Sequence, residues 1–146
     1  MSTDRHPPMV TLVPAYQPDD RLVRLIEALA AAGSGPVVVV DDGSGPTYRA
    51  VFDAARAAGA EIVTHEHNRG KGAALRTGFA HVATAHPGAD VVCADCDGQH
   101  TPADIARVAA ALDADADGIV LGARAFSGDV PPRSRFGNMM TRFAFF

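Results

Sequence analysis

The chain has 146 residues, of which 47% are hydrophobic and 21% are charged, a composition typical of one globular domain that can bury a core. This excludes a disordered chain, and two cysteines are too few for a disulfide-built one. The net charge of -4 is uneven, with nine Lys and Arg against sixteen Asp and Glu in residues 1–120 and four Arg against one acid in residues 121–146. The acidic body argues against a broad nucleic-acid-binding face, and we expect no nucleic-acid partner.

Short apolar runs rich in β-formers alternate with helical patterns from residue 9 onwards. The first helix is predicted to start at a cap on Asp19 or Asp20 and to end at Gly33. The four valines within residues 36–42 are typical of a strand buried on both faces. Strands are predicted over residues 9–16, 36–42, 61–65, 90–95 and 118–124.

The later helices are predicted over residues 69–85, with Leu75, Phe79 and Val82 facing inward, and from Thr101, an N-cap followed by Pro102. The order βαβαβαβαβ with short connections predicts an α/β fold. Its sheet is mostly parallel, with helices on both faces.

The predicted organisation is a short extension over residues 1–8, a wound α/β domain over 9–124, and a basic, Phe-rich segment over 125–146. We expect this last segment to begin a region that faces an acceptor or a membrane and that the chain leaves incomplete; packing of its apolar end on its own domain is the alternative. Without a secretory signal or an apolar run of about 20 residues, a cytoplasmic location is expected.

Polar residues gather where three predicted strands end, which is the edge at which open parallel sheets bind ligands. They follow the first, second and fourth strands, and any one of these groups alone is also compatible with a structural turn. The groups are Pro14, Ala15 and Tyr16; Asp41, Asp42, Gly43 and Ser44; and Asp95, Cys96, Asp97, Gly98, Gln99 and His100.

Asp95 and Asp97 lie two residues apart and would point to the same side if strand geometry continued through them. A cation between them would remove their repulsion, and carboxylate oxygens suit Mg²⁺ or Mn²⁺. Such a sparse pair is typical of a metal that also holds a phosphorylated ligand. Gln99 or His100 could add a contact, and a purely structural role for the two acids stays open.

Residues 68–78 open a helix with glycines and two cations, Arg69 and Lys71, which can receive an anion or simply be a solvated helix start. The Walker pattern is not met because Gly72 follows Lys71. Cys93 and Cys96 form a C-x-x-C, but a strand would point them to opposite faces and no second pair completes a zinc site. A receiver-like phosphoacceptor domain is disfavoured because Lys71 is the sole lysine and lies too early in the chain.

Six segments resemble, in order and spacing, motifs of the family 2 glycosyltransferases. The likeness is greatest to the branch with dolichyl-phosphate mannose synthases, dolichyl-phosphate glucosyltransferases and bacterial polyprenyl-phosphate relatives, and it spans about residues 9 to 138. It implies a Rossmann-like nucleotide-sugar-binding fold, known as GT-A. The segments are "VPAYQP", "VVVVDDGSG", "HNRGKGAALRTGF", "ADCDGQH", "GARAF" and "RSRFGN".

The resemblance also implies roles for particular residues. By this resemblance, the residues expected to contact the nucleotide-sugar donor are Pro14, Ala15, Tyr16, Val40, Asp41, Asp42, Lys71, Asp95 and Cys96. The expected ligands of the metal, Mg²⁺ or Mn²⁺, are Asp95, Asp97 and Gln99. The expected catalytic residues are Asp95, Asp97, Arg124 and Arg135.

The implied reaction is an inverting transfer of a hexose, glucose or mannose, from a UDP- or GDP-sugar to a polyprenyl or dolichyl phosphate. The C-terminal segment would contact the inner face of the cell membrane peripherally. A non-catalytic nucleotide-sugar-binding module is the alternative. Pro18 departs from the family, many members of which have an acid there, and the chain stops just after "RFGN", where family catalytic domains continue.

Overall fold

A computed structural model describes residues 8–111 as four strands alternating with four α-helices. The strands are β1 (Met9–Ala15), β2 (Val37–Asp41), β3 (Glu61–Thr64) and β4 (Asp90–Cys93). The helices are α1 (Asp20–Ala31), α2 (Arg49–Ala57), which follows a 3₁₀ turn (Pro46–Tyr48), α3 (Lys71–Ala85) and α4 (Pro102–Ala110). All strand pairs are parallel, which confirms the predicted α/β class. The strand predicted over 118–124 and the boundary at 124 lie outside the described residues.

The sheet order is β3-β2-β1-β4, so the chain winds outward from β1 to β3 and then returns to the other side of β1. Because crossovers between parallel strands are right-handed, this reversal predicts that α3 lies on the opposite face from α1 and α2. The direction of winding therefore changes between β1 and β4. The crevice beyond the carboxyl ends of these two strands is the position at which such sheets bind ligands.

Alternating residues of β1 and β2 enter two separate cores, which confirms that helices cover both faces of the sheet. Val13 and Val39 pack with α1, α2 and α4, whereas Leu12 and Val38 pack with α3. All five residues of β2 are buried. The four-valine run is therefore explained by a central strand that is covered on both sides.

The inward face of α3 is as predicted at Val82, which is buried, and at Leu75, which packs against the same core, but Phe79 is 45% exposed. Small residues take up much of this face, and a Cβ atom added to Gly78 would lie 2.3 Å from Cδ1 of Leu12. The helix therefore approaches β1 too closely for a large side chain at position 78. Phe79, about 100° further around the helix, is turned away from the sheet.

The predicted ends of α1 and α4 are confirmed. Asp19 caps α1 by accepting a hydrogen bond from the backbone N–H of Arg21, and Thr101 caps α4 in a capping box with Asp104. Strand β4, however, ends at Cys93, so the segment from Asp95 onwards is a turn rather than a strand. The expected same-side arrangement of Asp95 and Asp97 therefore cannot come from strand geometry.

Candidate functional site

Hydrogen bonds between distant residues join the loops at the carboxyl edge of the sheet. The backbone N–H of Gln17, after β1, donates to Oγ of Ser44, after β2, at 2.9 Å. Nη1 of Arg21, in the first turn of α1, donates to the carbonyl oxygen of Asp97 at 2.8 Å. The loops after β1, β2 and β4 therefore lie at one rim, as the sequence predicted.

The loop after β2 is a tight turn pressed against the segment that follows β3. Asp41 accepts a hydrogen bond from the backbone N–H of Ser44 at 2.9 Å, which gives the carboxylate the turn-forming role considered for it. Gly43 has φ of +71°, and a Cβ atom there would lie 2.2 Å from the carbonyl carbon of His67. Only glycine allows this approach.

Asp42 is buried, with 3% of its surface exposed, and its carboxylate accepts three hydrogen bonds. Oδ1 lies 2.7 Å from Nδ1 of His65 and accepts from the backbone N–H of Arg69 at 2.9 Å, and Oδ2 accepts from the backbone N–H of Gly70 at 2.8 Å. Burial raises the pKa of Asp42, but the bonds from His65, Arg69 and Gly70 outweigh it and hold the pKa below its usual value. Asp42 thus ties the end of β2 to the start of α3.

His65 is a site residue that the sequence analysis missed. Its ring is buried between Asp42 and the helix α3, with Nε2 at 2.8 Å from Oγ1 of Thr77. The available signal was its position directly after β3, at the same carboxyl edge as the other loops. The sequence analysis predicts a shared rim for the loops after the first, second and fourth strands, without the loop after the third.

The loop after β4 carries the two acids in different environments. Nζ of Lys71 lies 2.5 Å from Oδ1 of Asp95, whose backbone N–H donates to Nδ1 of His100 at 2.9 Å. Oδ1 of Asp97 accepts from the backbone N–H of Gln99 at 2.9 Å. In the structure, the cation beside Asp95 is Lys71.

The family model for glycosyl transferase family 2 matches residues 11–145, nearly the whole chain. The chain belongs to glycosyl transferase family 2. Membership of this family classes the chain among glycosyltransferases, as predicted. The Rossmann-like α/β fold of the GT-A type, which the resemblance implied, is likewise confirmed.

Similar proteins cover most of this family 2 chain. An uncharacterised protein of Methanocaldococcus jannaschii is 29% identical over 136 residues, 90% of this chain and 54% of that protein. A UDP-N-acetylglucosamine–dolichyl-phosphate N-acetylglucosaminyltransferase of Methanococcus voltae is 27% identical over 154 residues, 92% of this chain and 61% of its own. The crystal structure of a mycobacterial protein, 27% identical, matches with a TM-score of 0.57 over 76% of this chain and 38% of its own. The chain therefore spans less than two thirds of each of these proteins.

The residues expected to bind the nucleotide-sugar donor of a family 2 enzyme differ in how far a ligand can reach them from solvent. Tyr16 is half exposed at the rim and Pro14 is partly buried. Val40 is fully buried in the core on the α3 side and Ala15 is almost fully buried. A ligand could therefore touch Val40 only if its neighbours moved, whereas Tyr16 can be reached directly.

Cys96 is partly buried and packs against the core that includes Ala15 at the end of β1. Burial raises the pKa of Cys96 and also that of Cys93, so both thiols stay protonated at neutral pH. A thiolate is the form that binds metal or attacks a disulfide. Cys96 packs against the core whereas Cys93 is exposed, and neither thiol has the lowered pKa that is typical of a redox pair.

Asp95 and Asp97 have the chemistry to ligate a divalent cation whose other ligands are water or phosphate oxygens. Across residues 8–111, no cluster of three or more His, Cys, Asp or Glu side chains forms a complete metal centre. The hydrogen bonds from Lys71 and from the backbone of Gln99 each reach Oδ1 of their acid, Asp95 and Asp97 respectively. Mg²⁺ commonly takes one or two carboxylates and completes its shell with water and phosphate oxygens, so the two acids fit this mode.

Two expected catalytic residues, Arg124 and Arg135, lie outside the described residues. The basic segment 125–146 lies outside them as well. Among the helices of residues 8–111, none is both long enough and apolar enough to cross a bilayer.

Proposed function

We propose that the chain is the nucleotide-sugar-binding part of a metal-dependent, inverting glycosyltransferase. It would move a hexose, glucose or mannose, from a UDP- or GDP-sugar to a polyprenyl or dolichyl phosphate. The observation that supports this proposal is the meeting of the loops after β1, β2 and β4 at the point where the winding reverses, with Asp95 and Asp97 at that rim. The Methanococcus voltae relative, by its name, uses a UDP-sugar and dolichyl phosphate, which makes these the first substrates to test.

Each part of the rim has a separate task in this reaction. Tyr16 offers an exposed ring against which a nucleoside can pack, and the network around Asp42 holds the loop before α3 in place. Asp95 and Asp97 would hold Mg²⁺ or Mn²⁺, with Gln99 as a further contact. When bound, the metal supplies positive charge that stabilises the departing nucleoside diphosphate.

The bond changes need no dedicated general base. A phosphate oxygen of the acceptor attacks the anomeric carbon of the sugar as the bond from that carbon to the diphosphate oxygen breaks. The electron pair of the broken bond leaves with the nucleoside diphosphate. An ionised acceptor needs positioning more than deprotonation, a role proposed for Arg124 and Arg135. In-line attack would convert an α-linked donor into a β-linked product.

In this proposal, the enzyme binds its lipid-phosphate acceptor at the inner face of the cell membrane. Residues 121–146 contain four arginines and five phenylalanine or methionine residues near the end, a mixture suited to lipid phosphates and the headgroup layer. Sedimentation with vesicles containing anionic lipid tests this contact. A chain that stays in the supernatant would contradict it.

Transfer can be measured directly. The chain is incubated with radiolabelled UDP-N-acetylglucosamine, UDP-glucose or GDP-mannose, Mn²⁺ and a short polyprenyl phosphate, and label is counted in the organic phase. We expect label that depends on Mn²⁺ and that is lost in Asp97→Ala. Metal-dependent binding of nucleotide without any transfer would instead favour the non-catalytic module.

A further inference from the structure

The only lysine of the chain lies at the first position of α3 and forms an ion pair with the loop after β4. Nζ of Lys71 is 2.5 Å from Oδ1 of Asp95, across 24 residues of sequence. The pair therefore connects the amino-terminal end of α3 to one of the two acids proposed to hold the metal.

Stability does not explain this pair. The side chains of Lys71 and Asp95 are 63% and 42% exposed, and ion pairs so open to solvent contribute at most about 1 kcal/mol. A cation at the first turn of a helix is also disfavoured by the helix dipole, and the first turn of α3 has no acidic residue to offset it. The position of Lys71 is better explained by the charge that it faces.

We propose that Lys71 is a displaceable counter-ion for Asp95, an inference that rests on the metal site of the proposed function. In the metal-free chain the ammonium group neutralises Asp95 and limits its repulsion with Asp97. Mg²⁺ binds oxygen at about 2.0–2.1 Å, and any divalent cation is repelled by an ammonium group on the same carboxylate, so metal binding displaces Lys71.

The displaced ammonium group gains a partner when nucleotide binds. The diphosphate of a nucleotide brings new negative charge to the rim, where it can pair with the released Lys71. Metal and nucleotide would therefore each favour binding of the other, and part of this coupling would pass through one side chain. Metal alone would bind weakly.

Binding of Mn²⁺ to the full 146-residue chain tests this proposal without any turnover. The signal of free Mn²⁺ in electron paramagnetic resonance gives the affinity of each variant, with and without saturating UDP. We expect Lys71→Met and Lys71→Gln to bind Mn²⁺ alone about two- to fivefold more tightly, the effect of losing an exposed ion pair. With UDP present the advantage should shrink, because the wild-type ammonium then has the diphosphate as a partner.

Two control variants separate the effect of the Lys71–Asp95 ion pair from the effect of any positive charge near the site. Arg69→Met removes the same charge from an exposed side chain two residues earlier and should leave the Mn²⁺ affinity within about twofold, because charges at the surface are screened. Lys71→Arg keeps the cation and should stay near the wild type. Circular dichroism checks that each variant is folded.

The outcomes distinguish the two proposals. If Mn²⁺ binding is lost in Asp97→Ala, but Lys71→Met binds no more tightly than wild type or no more tightly than Arg69→Met, the counter-ion role is wrong and the metal site stands. If wild-type Mn²⁺ binding does not depend on Asp97, the metal site of the proposed function is wrong and the counter-ion role falls with it.

Discussion

Nδ1 of His65 lies 2.7 Å from Oδ1 of Asp42, and both side chains are buried where β2 and β3 end. The same carboxylate also accepts hydrogen bonds from the backbone of Arg69 and Gly70, at the entrance to α3. One acid therefore holds together two strand ends and the start of the helix that carries Lys71. The position of Lys71 beside Asp95 depends on this arrangement.

Asp42→Asn should destabilise the chain strongly. The amide keeps one acceptor oxygen where three donors converge, so at least one hydrogen bond to this side chain is lost and an N–H group of the amide faces a donor. We expect the free energy of unfolding in urea at pH 7 to fall by about 2–3 kcal/mol. Asp53→Asn, at the exposed surface of α2, is the control and should cost less than about 1 kcal/mol. Equal losses in both variants would contradict a structural role for Asp42.

Gly43→Ala should disturb the rim as well as the stability. Its Cβ would lie 2.2 Å from the backbone of His67, and φ at this position is +71°. Gly45 also has positive φ, at +87°, but has open space around it. Gly45→Ala should therefore cost about 1–3 kcal/mol from backbone strain alone, because φ of 87° with ψ of 176° is adopted almost only by glycine, and Gly43→Ala should cost clearly more. We expect UDP binding, measured by calorimetry, to weaken in Gly43→Ala and to persist in Gly45→Ala.

Two glycines of α3 should respond in opposite directions to alanine. A Cβ at Gly78 would meet both Cδ atoms of Leu12, whereas one at Gly72 would meet nothing within 4 Å. Gly78→Ala should lower the free energy of unfolding by about 1–3 kcal/mol through overpacking. Gly72→Ala should raise it by up to about 1 kcal/mol through helix propensity. Stabilisation by both substitutions would show that α3 packs less closely on β1 than described.

The carboxylate of Glu61 on β3 should make stability depend on acid pH. Hydrogen bonding to His81 lowers the pKa of Glu61, burial opposes this, and the bond to His86 lowers it further, to a net value below the ordinary 4.5. The unfolded chain therefore takes up a proton at higher pH than the folded one. The stabilisation is present above about pH 4.5 and is lost as pH falls through the folded pKa.

Glu61→Gln tests this dependence. The side chain of Glu61 is 40% exposed, so solvent screening limits the loss in free energy of unfolding to about 0.5–1 kcal/mol at pH 7. This loss relative to wild type should shrink toward pH 3. Thermal unfolding at both pH values measures it. Glu27→Gln, at an exposed position on α1, should show less than half of the effect at pH 7. A pH-independent difference at Glu61 would contradict the stabilisation of its carboxylate by the hydrogen bonds to His81 and His86.

Arg21 should position the loop that carries Asp97. Its guanidinium group donates to the carbonyl oxygen of Asp97 and packs its aliphatic part near Gly98. We expect Arg21→Ala to weaken Mn²⁺ binding several-fold, because the loop then loses a charge-assisted hydrogen bond. Arg24→Ala removes a comparable charge on the same helix and should leave Mn²⁺ affinity unchanged. Matching losses in both variants would contradict the positioning role, because removal of a positive charge by itself should tighten rather than weaken the binding of a cation.

Much of the fold follows from local sequence signals. The Val-rich run became the central strand β2, and Asp19, Gly33, Thr101 and Pro102 mark helix ends where predicted. These signals act within one turn or one strand, so they can be read without knowing what packs nearby. The prediction that Val82 faces inward is confirmed, whereas that for Phe79 is wrong because helical periodicity cannot reveal that Gly78 touches Leu12.

The site was only partly predictable for the same reason. Motif spacing placed the loops after β1, β2 and β4 at one rim and identified the family. The pairing of Lys71 with Asp95 required knowing that α3 and β4 return across the sheet, and that of His65 with Asp42 required knowing that β3 lies beside β2.

By itself, the sequence determined the order of the elements, their main ends, the parallel α/β class and the family, because each depends on neighbouring residues or on motif order. The tertiary structure alone decided which charge faces which. Residues 24 positions apart meet only after the winding of the sheet reverses, and electrostatic interactions depend on distance in space rather than on separation along the chain.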